Sequence, residues 1–359
     1  MLPPGRWFPP NHAALQRLLD RLSRAGRRRT AVFDWDDTTI FRCLGTATFR
    51  YAVNNLDIRL DPAQLSEVLR GEYGGATHTL DGRPFAGLAA EAVAAWETLW
   101  PLVRAGEAPR AIERFPQEHQ RFRAIAGAFY PLIEDRVGAP FAYPYLVEIL
   151  GNREEAEFEA LAERAWSATR AEGVQPVVWS APGEAGPVSV EFEGGIGLYE
   201  EMAALARALV AAGVEVHVVT ASAEYAIRAG VRLTGFPVPP ERVHGVRLVA
   251  EGRRLTHRSP TDWPLTYRAG KVEVIRRVLP EEPVLVAGDT NTDFEMLTRF
   301  PSTELRLIIN REQVGPIASL YGLAGQPSGD GPVTLLQGRD EPQGSLRPAQ
   351  SSIALSRPG

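Results

Sequence analysis

The chain has 359 residues, 44% of them apolar and 23% charged, which is ample for a core and too long for one minimal domain, so two domains are expected. Lys and Arg total 39 against 44 Asp and Glu, a net charge of −5, which excludes a sequence-wide basic footprint for nucleic acid. One cysteine, Cys43, excludes an intrachain disulfide and a Cys/His zinc site.

No run approaches the roughly 20 apolar residues that cross a bilayer, so no membrane role is expected. The start, Met1 to Trp7, lacks a basic region followed by an apolar run. A cytoplasmic chain is the expectation, or a periplasmic or secreted one if a signal was removed.

The first eleven residues are proline-rich and read as an arm, after which Leu15, Leu18, Leu19 and Leu22 recur at helical spacing over His12 to Leu22. Arg24, Arg27, Arg28 and Arg29 then form a basic cluster suited to a solvated helix end. Thr30-Ala-Val-Phe33 is a short apolar strand that runs straight into Asp34-Trp-Asp-Asp-Thr38.

From about 45 to 195 the texture changes to Ala, Glu, Arg, Leu and Trp at helical spacing, a mainly helical insertion. Its clearest helices span Leu88 to Val103 and Arg153 to Glu172, while Gly71 to Gly82 and Gly173 to Gly195 read as loops or hinges. A helix over Leu198 to Ala212 follows, then a β-branched strand, Val214 to Val219, ending at Thr220-Ala-Ser222. Val243 to Val249, Gly252 and Arg253 to Thr256 have the alternation of a hairpin.

A helix over Gly270 to Leu279 leads to a third strand, Pro283 to Ala287, which ends at Gly288-Asp-Thr-Asn-Thr-Asp293. A fourth, Leu305 to Ile309, ends at Asn310-Arg311. Residues from about Gly338 to Gly359, rich in Gly, Pro, Ser, Gln and Arg, read as a flexible tail without a core of its own. There is no internal repeat.

Strands alternating with helices predict an α/β fold with a Rossmann-like parallel sheet. The expected division is a core over 12–44 and 196–337, an inserted helical cap over 45–195, and a tail over 338–359. In such sheets ligands bind beyond the carboxyl ends of the strands, where every polar cluster named above falls.

Asp34, Asp36 and Asp37 crowd three carboxylates after one strand, a repulsive arrangement unless a cation or proton compensates. Oxygen-only ligands point to a hard ion such as Mg²⁺, with Asp289 and Asp293 as partners from another strand end. Lys271 opens a helix after Gly270, and Thr220 and Ser222 add hydroxyl donors at the second strand's end. A carboxylate nucleophile, a second acid, a metal, a cation and hydroxyls together suit phosphoryl transfer. Arg268-Ala-Gly-Lys271 lacks the first Gly and the final Ser or Thr of a nucleotide-binding P-loop. The six histidines show no ligand spacing.

These residues resemble the haloacid dehalogenase-like superfamily of aspartate-nucleophile phosphatases. Asp34-Trp-Asp36-Asp-Thr38 matches its first motif, Thr220 its second, Lys271 its third, and Gly288-Asp289-x-x-x-Asp293 its fourth, in the family's order. The insertion falls where the superfamily places a type 1 helical cap. The resemblance implies that Asp34 is the nucleophile, forming an aspartyl-phosphate, and that Asp36 is the general acid. It implies that Asp34, Asp289 and the backbone carbonyl of Asp36 hold Mg²⁺, that Asp293 supports them, and that Lys271 and Thr220 bind phosphoryl oxygens.

Met296 and the hairpin before the lysine helix look like the phosphoserine and phosphorylcholine phosphatase branch. Thr292 and Ala221-Ser222 depart from the phosphoserine phosphatase pattern. Arg42, near the hinge, and Glu72, in a Gly-rich cap loop, are read either as facing substrate or as exposed surface residues. Trp96, Trp100, Trp166, Trp179 and the Tyr143-Pro-Tyr145 pair could either cage a quaternary ammonium such as choline or pack the cap helices. The expected partner is a small phosphomonoester. A phosphotransferase using the same intermediate, or a non-catalytic phosphate-ligand binding protein, are the alternatives.

Overall fold

The computed structural model describes residues 1–25, 29–71, 79–80, 83–183, 186–326 and 331–355. Arg27, Arg28 and Glu72 lie outside the described residues, as does most of the 71–82 stretch.

Among the described residues, seven strands build the central sheet: β1 (Arg29–Phe33), β2 (Val214–Ala223), β3 (Val243–Val246), β4 (Leu285–Gly288), β5 (Leu305–Asn310), β6 (Val333–Asp340) and β7 (Ser345–Leu346). Their spatial order is β3-β2-β1-β4-β5-β6-β7, parallel throughout except for the final β6–β7 pair. The centre of the sheet is covered on both faces, since every residue of β5 and four of the five in β1 are buried. Apolar runs without alternation are what two-sided burial requires. The expected Rossmann-like α/β core with a mainly helical insert is therefore the observed architecture.

This order places β1 between β2 and β4. Parallel neighbours lie about 4.8 Å apart, so Asp34, Thr220 and Asp289 emerge side by side at one edge. The ladder continues into the site, because the Asp34 N–H donates to the Ala287 carbonyl at 2.9 Å.

The insert packs helices Leu44–Asn54, Pro62–Arg70, Phe85–Arg104, Pro116–Arg136, Ala139–Glu148 and Glu155–Glu172 around one apolar cluster. That cluster also takes in Tyr225, Ala226 and Ala229 of helix Glu224–Thr234. Arg228 and Arg232 of that helix pair with Glu155, Glu159 and Glu163 of the insert. Among the described residues no helix is long and apolar enough to cross a membrane.

Three expectations are corrected. The stretch 173–195 contains an antiparallel hairpin, Pro176–Gly183 with Gly186–Glu193, rather than a loop throughout. Alternate residues Val188, Val190 and Phe192 are buried while Pro187, Ser189, Glu191 and Glu193 are exposed; this period-two pattern outweighs the Gly and Pro content. In the 243–256 region, Val243–Val246 joins β2 as a parallel edge strand. The hairpin is confined to Ala250–Glu251 with Arg254–Leu255, turning at Gly252 with φ +63°.

The third correction concerns 338–355, which pairs onto the edge of the sheet and sends Arg339 and Leu346 inside rather than forming a tail without partners. Gln337 and Leu346 are fully buried, and Arg339 is nearly so. Gln337 accepts from the Phe8 N–H at 2.8 Å and donates to the Arg347 carbonyl at 2.5 Å. Polar side chains go inside here because main-chain groups of distant segments satisfy them, and composition cannot register such partners. The N-terminal arm is likewise anchored, with Leu2 and Trp7 buried in the same cluster as the sheet. Its helix begins at Pro9 rather than His12, as proline is tolerated in a first turn.

Candidate active site

Asp34 follows β1 directly and is buried. One oxygen each of Asp34, Asp289 and Asp293 lie mutually within 4.8 Å. The fourth-motif loop is tight because Gly288 has no side chain, and a Cβ there would stand 2.6 Å from the Asp293 Cβ. Asp293 closes the loop by accepting from the N–H groups of Asp289 at 2.9 Å and Thr290 at 3.2 Å. Its other oxygen takes the Lys271 ammonium at 2.6 Å, and Lys271 reaches Asp34 at 2.6 Å as well.

Burial first, then the Asp293 charge, pushes Asp34 up to about 7 even though Lys271 pulls it down. Asp289 is raised well above the carboxylate range, chiefly by burial, with Asp293, Asp34 and Asp37 adding to the effect of burial and Arg311 opposing it. Burial works against the Lys271 charge, but Asp293 and Asp34 outweigh it and keep the ammonium protonated. Lys271 and, on Asp289, an Arg311 shared with Asp37 leave the three buried carboxylates incompletely balanced. A hard divalent ion matches both the oxygen-only donor set and this residual repulsion, so the residues present fit Mg²⁺.

Asp36 stands apart from that cluster. The Leu44 N–H, first in helix Leu44–Asn54, donates to one oxygen at 2.7 Å, and Ser222 Oγ lies 2.5 Å from the other. The Asp36 carboxylate is therefore not among the metal-facing groups, against the expectation from the crowded Asp34, Asp36 and Asp37 that it would meet the ion; only its main-chain carbonyl remains eligible. Burial pushes its carboxyl up to about 6, with the bonds from Ser222 and Leu44 pulling the other way. Ser222, expected to touch substrate, spends its hydroxyl on Asp36.

Asp37, read as crowded against Asp34 and Asp36, is compensated by arginines. It adopts φ +58°, a left-handed conformation uncommon for a residue with a side chain, and turns into a cluster of arginines. Arg339 Nη1 is 2.5 Å from one of its oxygens and Arg311 Nη1 3.1 Å from the other. Burial would raise Asp37, but Arg311, Arg339 and Arg42 outweigh it and hold it down to about 2.

A cavity of about 320 Å³ opens over this floor, lined by Asp34, Asp36, Thr220, Ser222, Asp289, Arg42 and Arg311. Its upper wall comes from the insert: Leu146, Val147, Leu150, Phe158, Val190 and Phe192, with Tyr130 and Tyr143. Arg42 pairs with Glu193 at 2.7 Å and Glu341 at 3.6 Å, so it links the insert's hairpin to the end of β6. Lys271 is fully buried and is not part of the lining.

None of the four tryptophans lines this cavity. Trp96 stacks on Phe122 at 4.8 Å and leans on Trp100, Trp179 packs on Phe192 at 4.9 Å, and Trp166 belongs to the core cluster. Tyr145 is buried with its hydroxyl on the Ala126 carbonyl. Packing is their role, and Tyr143 alone of the pair reaches the cavity.

The residues absent from the motif reading are Arg311, Arg339, Thr39 and Tyr130, and Thr38, quoted in the first motif, carries no role there. Thr38 Oγ1 donates to Asp289 at 3.1 Å and Thr39 Oγ1 to the Asp34 carbonyl at 2.7 Å. Arg311 had a visible signal, its place directly after a parallel strand. Arg339 had none, because only the fold brings position 339 to position 37.

No family model matches the chain, and no curated protein matches it. Among solved structures, a conserved protein of unknown function from Anaerococcus prevotii is similar over 99% of both chains, with a TM-score of 0.87 at 23% identity. The two chains share one fold over their full length. Much weaker likenesses, each with a TM-score of 0.36, are to two others. One is a phosphoserine phosphohydrolase-like protein from Francisella tularensis subsp. tularensis (10% identity, over 81% of this chain and 99% of that one). The other is a substrate-bound phosphoserine phosphatase (12%, over 86% and 93%).

Proposed function

We propose that the chain is a Mg²⁺-dependent phosphomonoester hydrolase of the haloacid dehalogenase-like type, working through an aspartyl-phosphate on Asp34. The observation that carries this reading is the division of labour within one loop. Asp34 belongs to the carboxylate cluster with Lys271 against it, whereas Asp36, held by Ser222 and the Leu44 N–H, faces the same cavity with a carboxyl pushed up to about 6.

In the first half-reaction an Asp34 carboxylate oxygen attacks phosphorus, the ester P–O bond breaks, and the Asp36 carboxyl passes its proton to the departing alkoxide. In the second, the Asp36 carboxylate takes a proton from water, whose oxygen attacks phosphorus and breaks the P–O bond to Asp34, releasing inorganic phosphate. Lys271 keeps Asp34 oriented and partly neutralised, and Thr220 offers its hydroxyl at the neighbouring strand end. Asp34 and Asp289 would hold Mg²⁺, with Asp293 fixing the loop that carries Asp289. The ion would offset phosphate charge as it develops.

The alcohol half of the ester lies against the insert's wall. Tyr130, Tyr143, Phe158 and Phe192 present rings there, and Glu191 is part of the same lining; this supports a small amine-bearing ester such as phosphorylcholine.

The test is hydrolysis of a generic aryl phosphate by wild type and Asp34→Asn, with Mg²⁺ and with a chelator, followed by phosphorylcholine and phosphoserine. Turnover is expected to require both Asp34 and the metal. Activity indifferent to both would end the reading.

A further inference from the structure

Two cations stand closest to the carboxylate floor, and only one faces the cavity. The Lys271 ammonium is fully buried and is engaged by Asp34 and Asp293, each at 2.6 Å. Arg311, the residue after β5, lines the cavity with its side chain 19% exposed. Its Nη1 touches Asp37 and Asp289, each at 3.1 Å. Among the described residues its Nε has no partner.

The guanidinium is braced from behind. Asp37 is gripped on its other oxygen by Arg339 at 2.5 Å. The backbone leading to Arg311 is pinned too, since Asn310 donates to the Gln350 carbonyl at 2.9 Å and Ser352 Oγ donates to the Asn310 carbonyl at 2.5 Å. A planar group with five donors, of which Nη1 alone is committed among the described residues, suits two oxygens of a phosphate at once.

We propose that Arg311 is a phosphoryl-binding residue, its guanidinium holding oxygens of the phosphate presented to Asp34 from the cavity side while Lys271 neutralises Asp34 from beneath. The assignment rests on reading Asp34 as the point of phosphoryl transfer. Arg311 lies outside the four motifs, and the strand end that carries it is set by the same sheet order that aligns Asp34 with Asp289.

The experiment is titration calorimetry of inorganic phosphate in Mg²⁺ with wild type, Arg311→Lys and Arg311→Met, alongside KM and kcat for an aryl phosphate. Because Arg311→Met strands Asp37 and Asp289, the double variant Arg311→Met with Asp37→Asn restores charge balance and guards against misfolding. Phosphate affinity is expected to fall about 10- to 100-fold in Arg311→Met and equally in the double variant, with a smaller loss in Arg311→Lys. A double variant that binds phosphate as wild type does overturns the proposal, because a purely structural arginine predicts that rescue. Wild type that binds no phosphate overturns it as well. Wild type that binds phosphate but hydrolyses no ester would instead sink the hydrolase reading, and the affinities of the variants would still decide the role of Arg311.

Discussion

Asp34 and Asp37 lie three residues apart in one loop and are equally buried, each 5% exposed, yet their surroundings are opposite. Asp34 meets two more carboxylates and one lysine, and its carboxyl is pushed up to about 7. Asp37 meets three arginines and is held down to about 2. Burying a carboxylate is costly unless something compensates. At Asp37 the protein supplies that compensation internally and gains a rigid brace. At Asp34 it leaves the compensation incomplete, which is what a group meant to meet a cation and a phosphate requires. On the proposed reading, stability resides in one half of the loop and reactivity in the other.

The sharpest way to break this contrast is to neutralise each carboxylate in turn. Asp34→Asn should abolish aryl phosphate turnover, by on the order of 10⁴-fold or more. Its metal-free melting temperature should match or exceed that of wild type, since the substitution removes repulsion. Loss of activity accompanied by a large drop in melting temperature would show Asp34 to be structural. Asp37→Ala should do the reverse, costing about 3–5 kcal/mol in denaturant unfolding by leaving Arg339 and Arg311 short of a buried partner. A variant as stable as wild type would mean that the arginine cluster contributes no brace.

A third test lies away from the site. His217 and His244 stack in the sheet with Nδ1 3.3 Å from Nε2, near Glu215, Arg242, Arg247, Arg228 and Trp263. Burial holds them down to about 4 and about 3, from 6.5. The unfolded chain therefore binds protons first as pH falls, so this contribution is intact above about 6.5 and is lost as pH drops toward 4 and below. Asp36, raised to about 6, acts with the opposite sign, its share being lost as pH rises through 6. The difference in unfolding free energy between wild type and His217→Gln isolates the histidine contribution. A pH-independent difference would show that the pair is not neutral in the folded state.

The smallest expected effect sharpens the role of Asp36. Ser222→Ala removes a hydrogen bond that favours the carboxylate, so the alkaline limb of the kcat profile should move up by less than about one pH unit. A limb that stays in place would mean that Asp36 does not set it.

Much of the site was legible because its parts are local. An apolar strand followed at once by acids, a β-branched strand ending in Thr220, and Gly288 to Asp293 each carry their meaning within about ten residues, and a parallel sheet sends all of them to one edge. The lysine helix was legible by its order in the chain. The hairpin at 176–193 was hidden by its Gly and Pro content, although the alternation of Val188, Val190 and Phe192 was there to be counted.

What the sequence by itself determined is the α/β alternation, the strand ends and the residue types placed there, since hydrophobic periodicity and strand-end chemistry are properties of short windows. Only the tertiary structure decided which charges meet. Arg339 reaches Asp37 across 302 positions and Lys271 reaches Asp34 across 237, and Ser222, at the cavity wall, spends its hydroxyl on Asp36. Arg339 of the tail became buried for the same reason. A buried charge or amide is stable only beside its partner, and that partner is chosen by the order of strands in the sheet, which no local pattern encodes.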